Sequence, residues 1–114
     1  MKYVLDAHTH TIASGHAYST IMENAAYAAE AGLELLGITD HAPAMAGGTQ
    51  PSYFLNFSTI PREISGVEIY MGAELNIMDY DGNIDLDEFY LQRMDYAIAS
   101  LHPPCIPFGT MEEN

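Results

Sequence analysis

Apolar residues along this chain gather in four short runs that are separated by polar and glycine-containing stretches. The runs cover residues 3–5, 33–39, 67–75 and 96–101. Each run is nearly continuous in apolar residues, whereas a strand with one face in water alternates apolar and polar residues. The pattern therefore predicts four buried strands of a parallel sheet, the first of them at residues 3–5.

Helical signals lie between these runs. The clearest predicted helix covers residues 21–31, where alanine is frequent. Thr20 and Glu23 have the spacing of a capping box at its start, and Gly32 follows its end. A shorter helix is predicted over residues 87–93. Helices that connect parallel strands define an α/β fold.

Residues 41–61 have no clear periodicity and contain the aromatic residues Tyr53, Phe54 and Phe57. Aperiodic segments of this length in compact domains are often functional. Two interpretations stay open for this segment. It is either a lid over a site or an insertion whose aromatic side chains pack on the rim of a barrel.

The length of the chain limits how much of a barrel it can form. A closed α/β barrel usually needs roughly 200 residues or more, and this chain has 114. Thr110 and Glu113 again have capping-box spacing, which predicts the start of a further helix at the end of the sequence. We therefore expect residues 1–114 to be a partial domain of about four β/α units.

The charge of the chain limits its partners. Sixteen carboxylates face three basic side chains, and the net charge is −13. Such a surface repels nucleic acid but is compatible with bound divalent cations. Cys105 is the single cysteine, and no stretch approaches the roughly 20 apolar residues of a membrane span. We predict a cytoplasmic protein with neither nucleic acid nor a membrane as partner.

Candidate chemistry lies at the carboxyl ends of the predicted strands. All five histidines and two acidic residues occur at or just beyond these ends. In parallel α/β barrels the loops from every strand meet there, and this end holds the active site. The residues concerned are His8, His10, His16, Asp40, His41, Glu74 and His102.

Each of these residues also has an ordinary interpretation. His8 and His10 could simply be polar residues at a strand end, although alternate residues of an extended segment share a face and can bind one ion. His41 and His102, taken singly, are typical of hydrogen-bonding residues at a rim. Glu74 is costly to bury without a cation or hydrogen bonds. One clustered metal site accounts for all of them, and imidazole with carboxylate suits zinc, manganese or iron.

The acidic segment 79–88 resembles a calcium loop only superficially. It lacks the glycine position and the terminal glutamate of an EF-hand. Asp81-Gly82 is a typical turn sequence. The segment is therefore predicted to be a solvated turn.

Taken in order, these motifs resemble the PHP (polymerase and histidinol phosphatase) family. The motifs that carry the resemblance are Asp6-Ala7-His8-Thr9-His10-Thr11, Ile38-Thr39-Asp40-His41, Gly72-Ala73-Glu74 and Ser100-Leu101-His102. The segments His16-Ala17-Tyr18-Ser19-Thr20 and Asp81-Gly82-Asn83-Ile84-Asp85 are most similar to its YcdX-type phosphatase branch. The resemblance implies the amino-terminal part of a distorted (β/α)7 barrel that holds up to three divalent ions, zinc foremost and manganese or iron as alternatives.

The resemblance also implies how the ligands are divided among these ions. Glu74 bridges, and the groups are His8, His10 and Glu74 for a first ion, Glu74 and His102 for a second, and His16 and His41 for a third. The family's later ligands, a histidine and an Asp-x-His pair, have no counterpart in this sequence. The fourth strand would also be an exposed apolar edge, which invites self-association or a complementing chain.

The ligand set and the resemblance predict a metal-dependent phosphoesterase. We expect it to hydrolyse a phosphate monoester of a small phosphorylated substrate through metal-activated water, with His8, His10, Glu74 and Asp40 at the catalytic centre. Two alternatives stay open. One is a metal-dependent nuclease-type PHP module, against which the acidity argues. The other is an inactive metal-binding partial barrel that serves as a structural unit.

Overall fold

The computed structural model describes residues 1–105, 109–110 and 112–113. Within these ranges the strands and α-helices are β1 (Leu5–Thr9), α1 (Ile21–Glu30), β2 (Leu35–Ile38), β3 (Glu63–Ile64), β4 (Val67–Asn76), α2 (Glu88–Leu91) and β5 (Tyr96–Ser100). Short 3-10 helices cover Ile12–Ser14, Pro51–Leu55 and Phe57–Thr59. The predicted α/β architecture is confirmed.

The sheet is parallel along its main path. β1 pairs with β2, β2 with the first half of β4, and the second half of β4 with β5. This curved order, β1-β2-β4-β5, forms a half-barrel whose strands all point their carboxyl ends the same way. The carboxyl ends of four strands therefore converge at one edge, as parallel pairing requires.

The antiparallel strand β3 was not predicted. It pairs with the start of β4 through two residues only, which is too short for a periodic signal. Ser65 and Gly66 form the turn between them and have φ of 55° and 79°. Two consecutive positive φ values are typical of a type I′ hairpin turn, which allows this tight reversal.

The hydrophobic core lies between the convex face of the sheet and α1. The Thr20 hydroxyl accepts a hydrogen bond from the Glu23 amide, and the Glu23 carboxylate accepts one from the Thr20 amide, so the predicted capping box is confirmed. Alanines on α1 keep the helix close to the sheet. Buried members of this core include Ala25, Ala28, Phe54, Phe57, Leu36, Ile38, Ile69 and Met71.

Segment 41–61 contributes to this core. The side chains of Phe54 and Phe57 are buried and form edge-to-face ring contacts with Tyr53 and with each other. This agrees with the interpretation of an insertion that packs its aromatic residues against the barrel. No helix in the described ranges is long and apolar enough to cross a membrane.

The first strand differs from its prediction. It begins at Leu5 rather than at Tyr3 and is largely exposed, with 51% of Leu5 and 74% of Tyr3 accessible to solvent. Among the described residues β1 pairs only with β2, and α1 packs over β2, β3 and β4 instead. The apolar run therefore marks an edge strand of the described sheet, and the prediction that it is buried is wrong for these residues. At the other end of the chain, reciprocal hydrogen bonds join Thr110 and Glu113, and the prediction of a helix there falls partly outside the described residues.

One side chain crosses the concave face of the half-barrel. Tyr96 begins β5, and its hydroxyl donates a 2.5 Å hydrogen bond to the Ala7 carbonyl of β1. The ring passes over glycines of the two intervening strands. A Cβ on Gly37 would lie 1.9 Å from the Tyr96 hydroxyl oxygen, and a Cβ on Gly72 would lie 2.4 Å from the Tyr96 carbonyl oxygen. Gly37 and Gly72 are therefore required by this close packing.

We expect Gly37→Ala to lower the free energy of unfolding by about 1–3 kcal/mol, because the added methyl group overpacks the concave face. Urea denaturation measures this loss. The same substitution in a Tyr96→Phe background should cost clearly less, since the clashing hydroxyl is gone. Equal losses in the two backgrounds would contradict the described position of the ring.

Candidate metal centre

Glu74 is the centre of the histidine cluster. It lies in the second half of β4, and its side chain is only 5% exposed. Its Oε2 atom lies 3.2 Å from Nε2 of His8, 3.2 Å from Nε2 of His10 and 3.1 Å from Nδ1 of His41. Its Oε1 atom lies 3.1 Å from Nε2 of His102. Four imidazoles from three other strand ends thus surround one carboxylate.

A bulge in β1 positions the first two histidines. Asp6 pairs with Leu36 and Thr9 with Ile38, so three residue steps in β1 match two steps in β2. The extra residue changes which face the following side chains occupy. His8 and the alternate residue His10 consequently both reach Glu74.

The spacing of these atoms fits ligands that share an ion. Two ligands at about 2.1 Å from a tetrahedral ion lie about 3.4 Å apart, close to the 3.1–3.2 Å between the Glu74 oxygens and the imidazole nitrogens. Two groups have all donor atoms within 4.8 Å of one another. They are His8, His10 and Glu74, and His41, Glu74 and His102.

His41 supplies the strongest test of whether these residues fit a metal. It is 5% exposed, and its Nδ1 is a buried atom without a hydrogen-bond partner among the described residues. The 3.1 Å approach to Glu74 is thus a close contact without hydrogen-bond geometry. A buried polar atom without a partner is costly. A cation beside Glu74 would satisfy it, so the residues present fit a divalent metal.

Burial favours the neutral form of two imidazoles in the cluster, and the contacts of Glu74 favour its ionised form. Burial lowers the pKa of His41 to about 4, against the opposing effect of Glu74. Burial likewise lowers the pKa of His10. Burial alone would raise the pKa of Glu74, but its contacts with His8, His41 and His102 lower it overall. Neutral imidazoles and an ionised carboxylate are the protonation states that metal ligands require.

His16 completes the predicted set at its periphery. Its Nε2 lies 3.2 Å from Nε2 of His41, while its Nδ1 lies 3.1 Å from the Ser14 carbonyl. A carbonyl can only accept, so Nδ1 of His16 carries the proton and Nε2 has a free lone pair. His41 differs from the grouping implied by the resemblance, because its Nδ1 joins the Glu74 and His102 group while its Nε2 faces His16. The division of ligands among ions stays a prediction.

Asp40 is fully buried and lies behind the cluster rather than in it. Its Oδ1 accepts hydrogen bonds from the Thr11 amide and the Ser14 hydroxyl, both at 2.7 Å. Its Oδ2 accepts from the Thr11 hydroxyl at 2.7 Å and the Tyr53 hydroxyl at 2.6 Å. Burial raises the pKa of Tyr53, and the nearby Asp40 carboxylate raises it further. The phenol therefore keeps its proton and donates a hydrogen bond to Asp40. The geometry favours a positioning role for Asp40, and its assignment as a catalytic group stays a prediction.

Ser14 connects Asp40 to the imidazoles through hydrogen bonds. Its hydroxyl donates to Asp40, accepts from the His41 amide at 3.0 Å and lies 3.2 Å from Nδ1 of His10. Since the hydroxyl proton is given to Asp40, Nδ1 of His10 is the donor in the remaining contact. Nε2 of His10 is then free to face Glu74.

Sequence reasoning missed several members of this site. Ser14 lies in a 3-10 turn after β1 that Thr11 caps, and Tyr53 lies in the segment without periodicity, so no pattern assigned these three side chains to the site. Asn76 was also missed, although it follows Glu74 by two residues in β4 and therefore shares its face. That alternation is the signal that could have identified it.

Comparison with known proteins agrees with this geometry. The family model described as "PHP domain" matches residues 6–111, and the chain belongs to this family. Proteins named "probable phosphatase" from Clostridium novyi and Acetivibrio thermocellus are 54% and 51% identical to it over all of its 114 residues. A similarly named protein from Caldanaerobacter subterraneus is 55% identical over 115 aligned residues.

The chain spans about half the length of these curated relatives. The matched region is 47% of the Clostridium novyi and Acetivibrio thermocellus proteins and 45% of the Caldanaerobacter subterraneus protein. At the level of the family, these comparisons support a phosphatase-type hydrolase.

We expect Ser14→Ala to lower the free energy of unfolding by about 1–3 kcal/mol, because it leaves buried partners of the hydroxyl unsatisfied. The matched control is Thr39→Val, which removes another buried hydroxyl. Its acceptor, the Thr9 carbonyl, still receives the Thr39 amide at 2.8 Å, so this loss should be smaller. Urea denaturation compares the two variants, and equal losses would contradict the role given to Ser14.

Proposed function

We propose that this chain supplies the amino-terminal half of the catalytic centre of a metal-dependent phosphoesterase, which hydrolyses a phosphate monoester. One observation carries the proposal. A buried glutamate is surrounded by four imidazole nitrogens at 3.1–3.2 Å, and no lysine or arginine takes part in these contacts. Such an arrangement is stable when cations occupy it.

The donor set supports zinc, with manganese or iron as alternatives. Imidazole with few carboxylates suits these ions, whereas calcium and magnesium prefer oxygen ligands. His8, His10 and Glu74 would hold one ion, and Glu74 and His102 a second. A neutral His41 has one nitrogen lone pair, so it would serve either the second ion through Nδ1 or a third ion, with His16, through Nε2. Ions of this kind lower the pKa of water and stabilise the charge on phosphoryl oxygens.

The basic side chains support the view that a phosphorylated substrate is held by ions rather than by a protein clamp. Lys2 pairs with Glu34 at 3.7 Å. Arg62 makes two hydrogen bonds to Asp95, and Arg93 lies over the ring of Phe89. Both arginines line a cavity of about 510 Å³ that includes Met71, which belongs to the opposite face of β4 from Glu74. An anionic substrate would therefore find its positive charge at the metal centre.

The open edges of the half-barrel support a polypeptide partner. β1 and β5 each pair on one side only within the described ranges, and Ala97 and Ala99 of β5 are exposed. We propose that a complementing chain or a second copy covers these edges. The cytoplasmic location and the absence of a nucleic-acid partner stay predictions, supported by the net charge of −13.

Metal content tests the centre itself. We expect the purified chain to contain zinc, manganese or iron by elemental analysis, and we expect His10→Ala and Glu74→Ala to weaken metal binding by roughly tenfold or more, because each removes a direct ligand. Glu68→Ala is the matched control, since Glu68 is an exposed glutamate of the same strand. An unchanged metal content in Glu74→Ala would contradict the proposed centre.

Catalysis can be tested in a chimera in which this chain replaces the matching region of the Clostridium novyi relative, to which it is 54% identical. We expect metal-dependent hydrolysis of a nitrophenyl phosphate monoester, reduced by roughly 100-fold in Glu74→Ala and unchanged in Glu68→Ala. A preference for the corresponding diester would favour the nuclease alternative. Absence of hydrolysis in a metal-loaded chimera would favour a structural role instead.

A further inference from the structure

A hairpin that follows β4 folds an acidic side chain back onto the end of this strand. Ile77 and Ile84 form an antiparallel bridge, and Gly82, with φ of 80°, lies in the turn between them. Asp85 follows directly. The acidic segment was predicted to be a solvated turn, and its exposed part, where Asp79 accepts hydrogen bonds from Asn83, agrees with this. Asp85 departs from the prediction, because its carboxylate is engaged by the end of β4.

Asp85 holds Asn76 at two points. Its Oδ1 accepts a 2.9 Å hydrogen bond from the Asn76 amide, and its Oδ2 accepts a 2.6 Å hydrogen bond from Nδ2 of the Asn76 side chain. Oδ2 also accepts from the Ala44 amide at 2.9 Å. The hairpin therefore connects β4 with the segment that follows His41.

The orientation of the Asn76 amide is determined by these partners. Asn76 is fully buried, and its Nδ2 faces the Asp85 carboxylate and, at 3.4 Å, the Ala42 carbonyl. Both neighbours can only accept, so the amide nitrogen has to face them and the amide oxygen has to face the other way. That oxygen lies 2.6 Å from Nδ1 of His102.

The tautomer of His102 follows from this orientation. An amide oxygen only accepts, so Nδ1 of His102 must carry a proton. In the neutral imidazole, Nε2 then has its lone pair in the ring plane. This Nε2 lies 3.1 Å from Oε1 of Glu74, so two acceptor atoms face each other at a distance that a shared cation explains.

We propose that Asp85 and Asn76 are positioning residues, which hold His102 as the Nδ1-protonated tautomer and thereby direct its Nε2 at the cation shared with Glu74. The inference rests on the proposed metal centre and adds to it two residues that touch neither ion nor substrate. Hydrogen bonds from a ligand imidazole to an outer carboxylate or carbonyl fix its orientation and increase its basicity. Here the Asp85 carboxylate does not contact the imidazole directly but acts through the side-chain amide of Asn76.

A purely structural role for Asp85 would require only that it stabilises the hairpin. The chain offers a matched comparison, because Asp79 in the same hairpin also accepts a hydrogen bond from an asparagine side chain, that of Asn83, at 2.7 Å. The two aspartates differ in the second contact that their asparagine partner makes. Only Asn76 contacts an imidazole in the described structure. Asp85→Asn and Asp79→Asn therefore separate support of the turn from support of the ligand.

The first experiment reads the tautomer directly in the wild-type chain. Long-range ¹H–¹⁵N correlation spectra of the metal-free chain at about pH 8.5, well above the ordinary pKa of histidine of about 6.5, distinguish a protonated from an unprotonated ring nitrogen. We expect Nδ1 of His102 to be protonated and Nε2 to be free, and we expect added zinc to shift the Nε2 resonance of this ring most strongly while Nδ1 keeps its proton. A resonance pattern with Nε2 protonated, or zinc bound through Nδ1, would overturn the proposal.

The second experiment measures zinc affinity by competition with a chelator, with circular dichroism as the test of folding. We expect Asn76→Leu to weaken zinc binding by roughly 10–100-fold and Asp85→Asn by roughly tenfold, while Asp79→Asn stays within about twofold of the wild type. Equal effects of Asp85→Asn and Asp79→Asn would overturn the positioning role. If Asn76→Leu fails to fold, the two aspartate variants and the wild-type spectrum decide.

These readouts are separate from the test of the proposed function. If the chain binds zinc through Nε2 of His102 but the chimera hydrolyses no ester, the proposed phosphoesterase activity is contradicted and the positioning role stands. If the chimera hydrolyses monoesters but Nε2 of His102 is protonated, the positioning role is contradicted and the proposed activity stands.

Discussion

The charge of Glu74 is the constraint around which the rest of this structure is arranged. A carboxylate that is 5% exposed, in a chain with only three basic side chains, cannot be compensated by an arginine or lysine at hand. Four imidazoles approach it instead, and burial, which lowers the pKa of His10 and of His41, disfavours the protonated form of both rings. The metal cation proposed here would supply the missing positive charge. The parallel sheet serves this arrangement, because it brings the carboxyl ends of β1, β2, β4 and β5 to the same edge.

A second set of contacts determines which nitrogen each imidazole presents. For His10 the partner of Nδ1 is the Ser14 hydroxyl, for His16 it is the Ser14 carbonyl, and for His102 it is the Asn76 amide oxygen. Two carboxylates, Asp40 and Asp85, stand behind these neutral groups. The acidic groups thus have different positions: Glu74 faces the proposed metal centre, whereas Asp40 and Asp85 accept hydrogen bonds from the neutral groups that contact the imidazoles.

Much of the fold could be predicted because the signals are local. The capping box of α1, the apolar runs of β2, β4 and β5, and the turn before Asp85 each depend on residues close together in sequence. The candidate ligands were found for a related reason, since parallel strands convert the position of a strand end in sequence into a position in space. The roles of Ser14 and Tyr53 could not be found in this way, because each acts through a contact over 13 or more residues. Alternation along β4 places Asn76 on the face of Glu74, but its contact with His102 spans 26 residues and has no local signal. The exposure of β1 was also unpredictable, since it depends on what lies beside the strand and not on its own residues.

The side chain of Tyr96 has a consequence for the distance between the two edges of the described sheet. It reaches from the last strand of the half-barrel to the first, over the glycines of the strands between, and holds the Ala7 carbonyl at 2.5 Å. Because this side chain joins the first and last strands across the concave face, its length limits how far the sheet can flatten. The separation between the edges β1 and β5 is therefore constrained from within this chain. The polypeptide proposed above to cover these edges would meet a spacing that does not depend on its own binding.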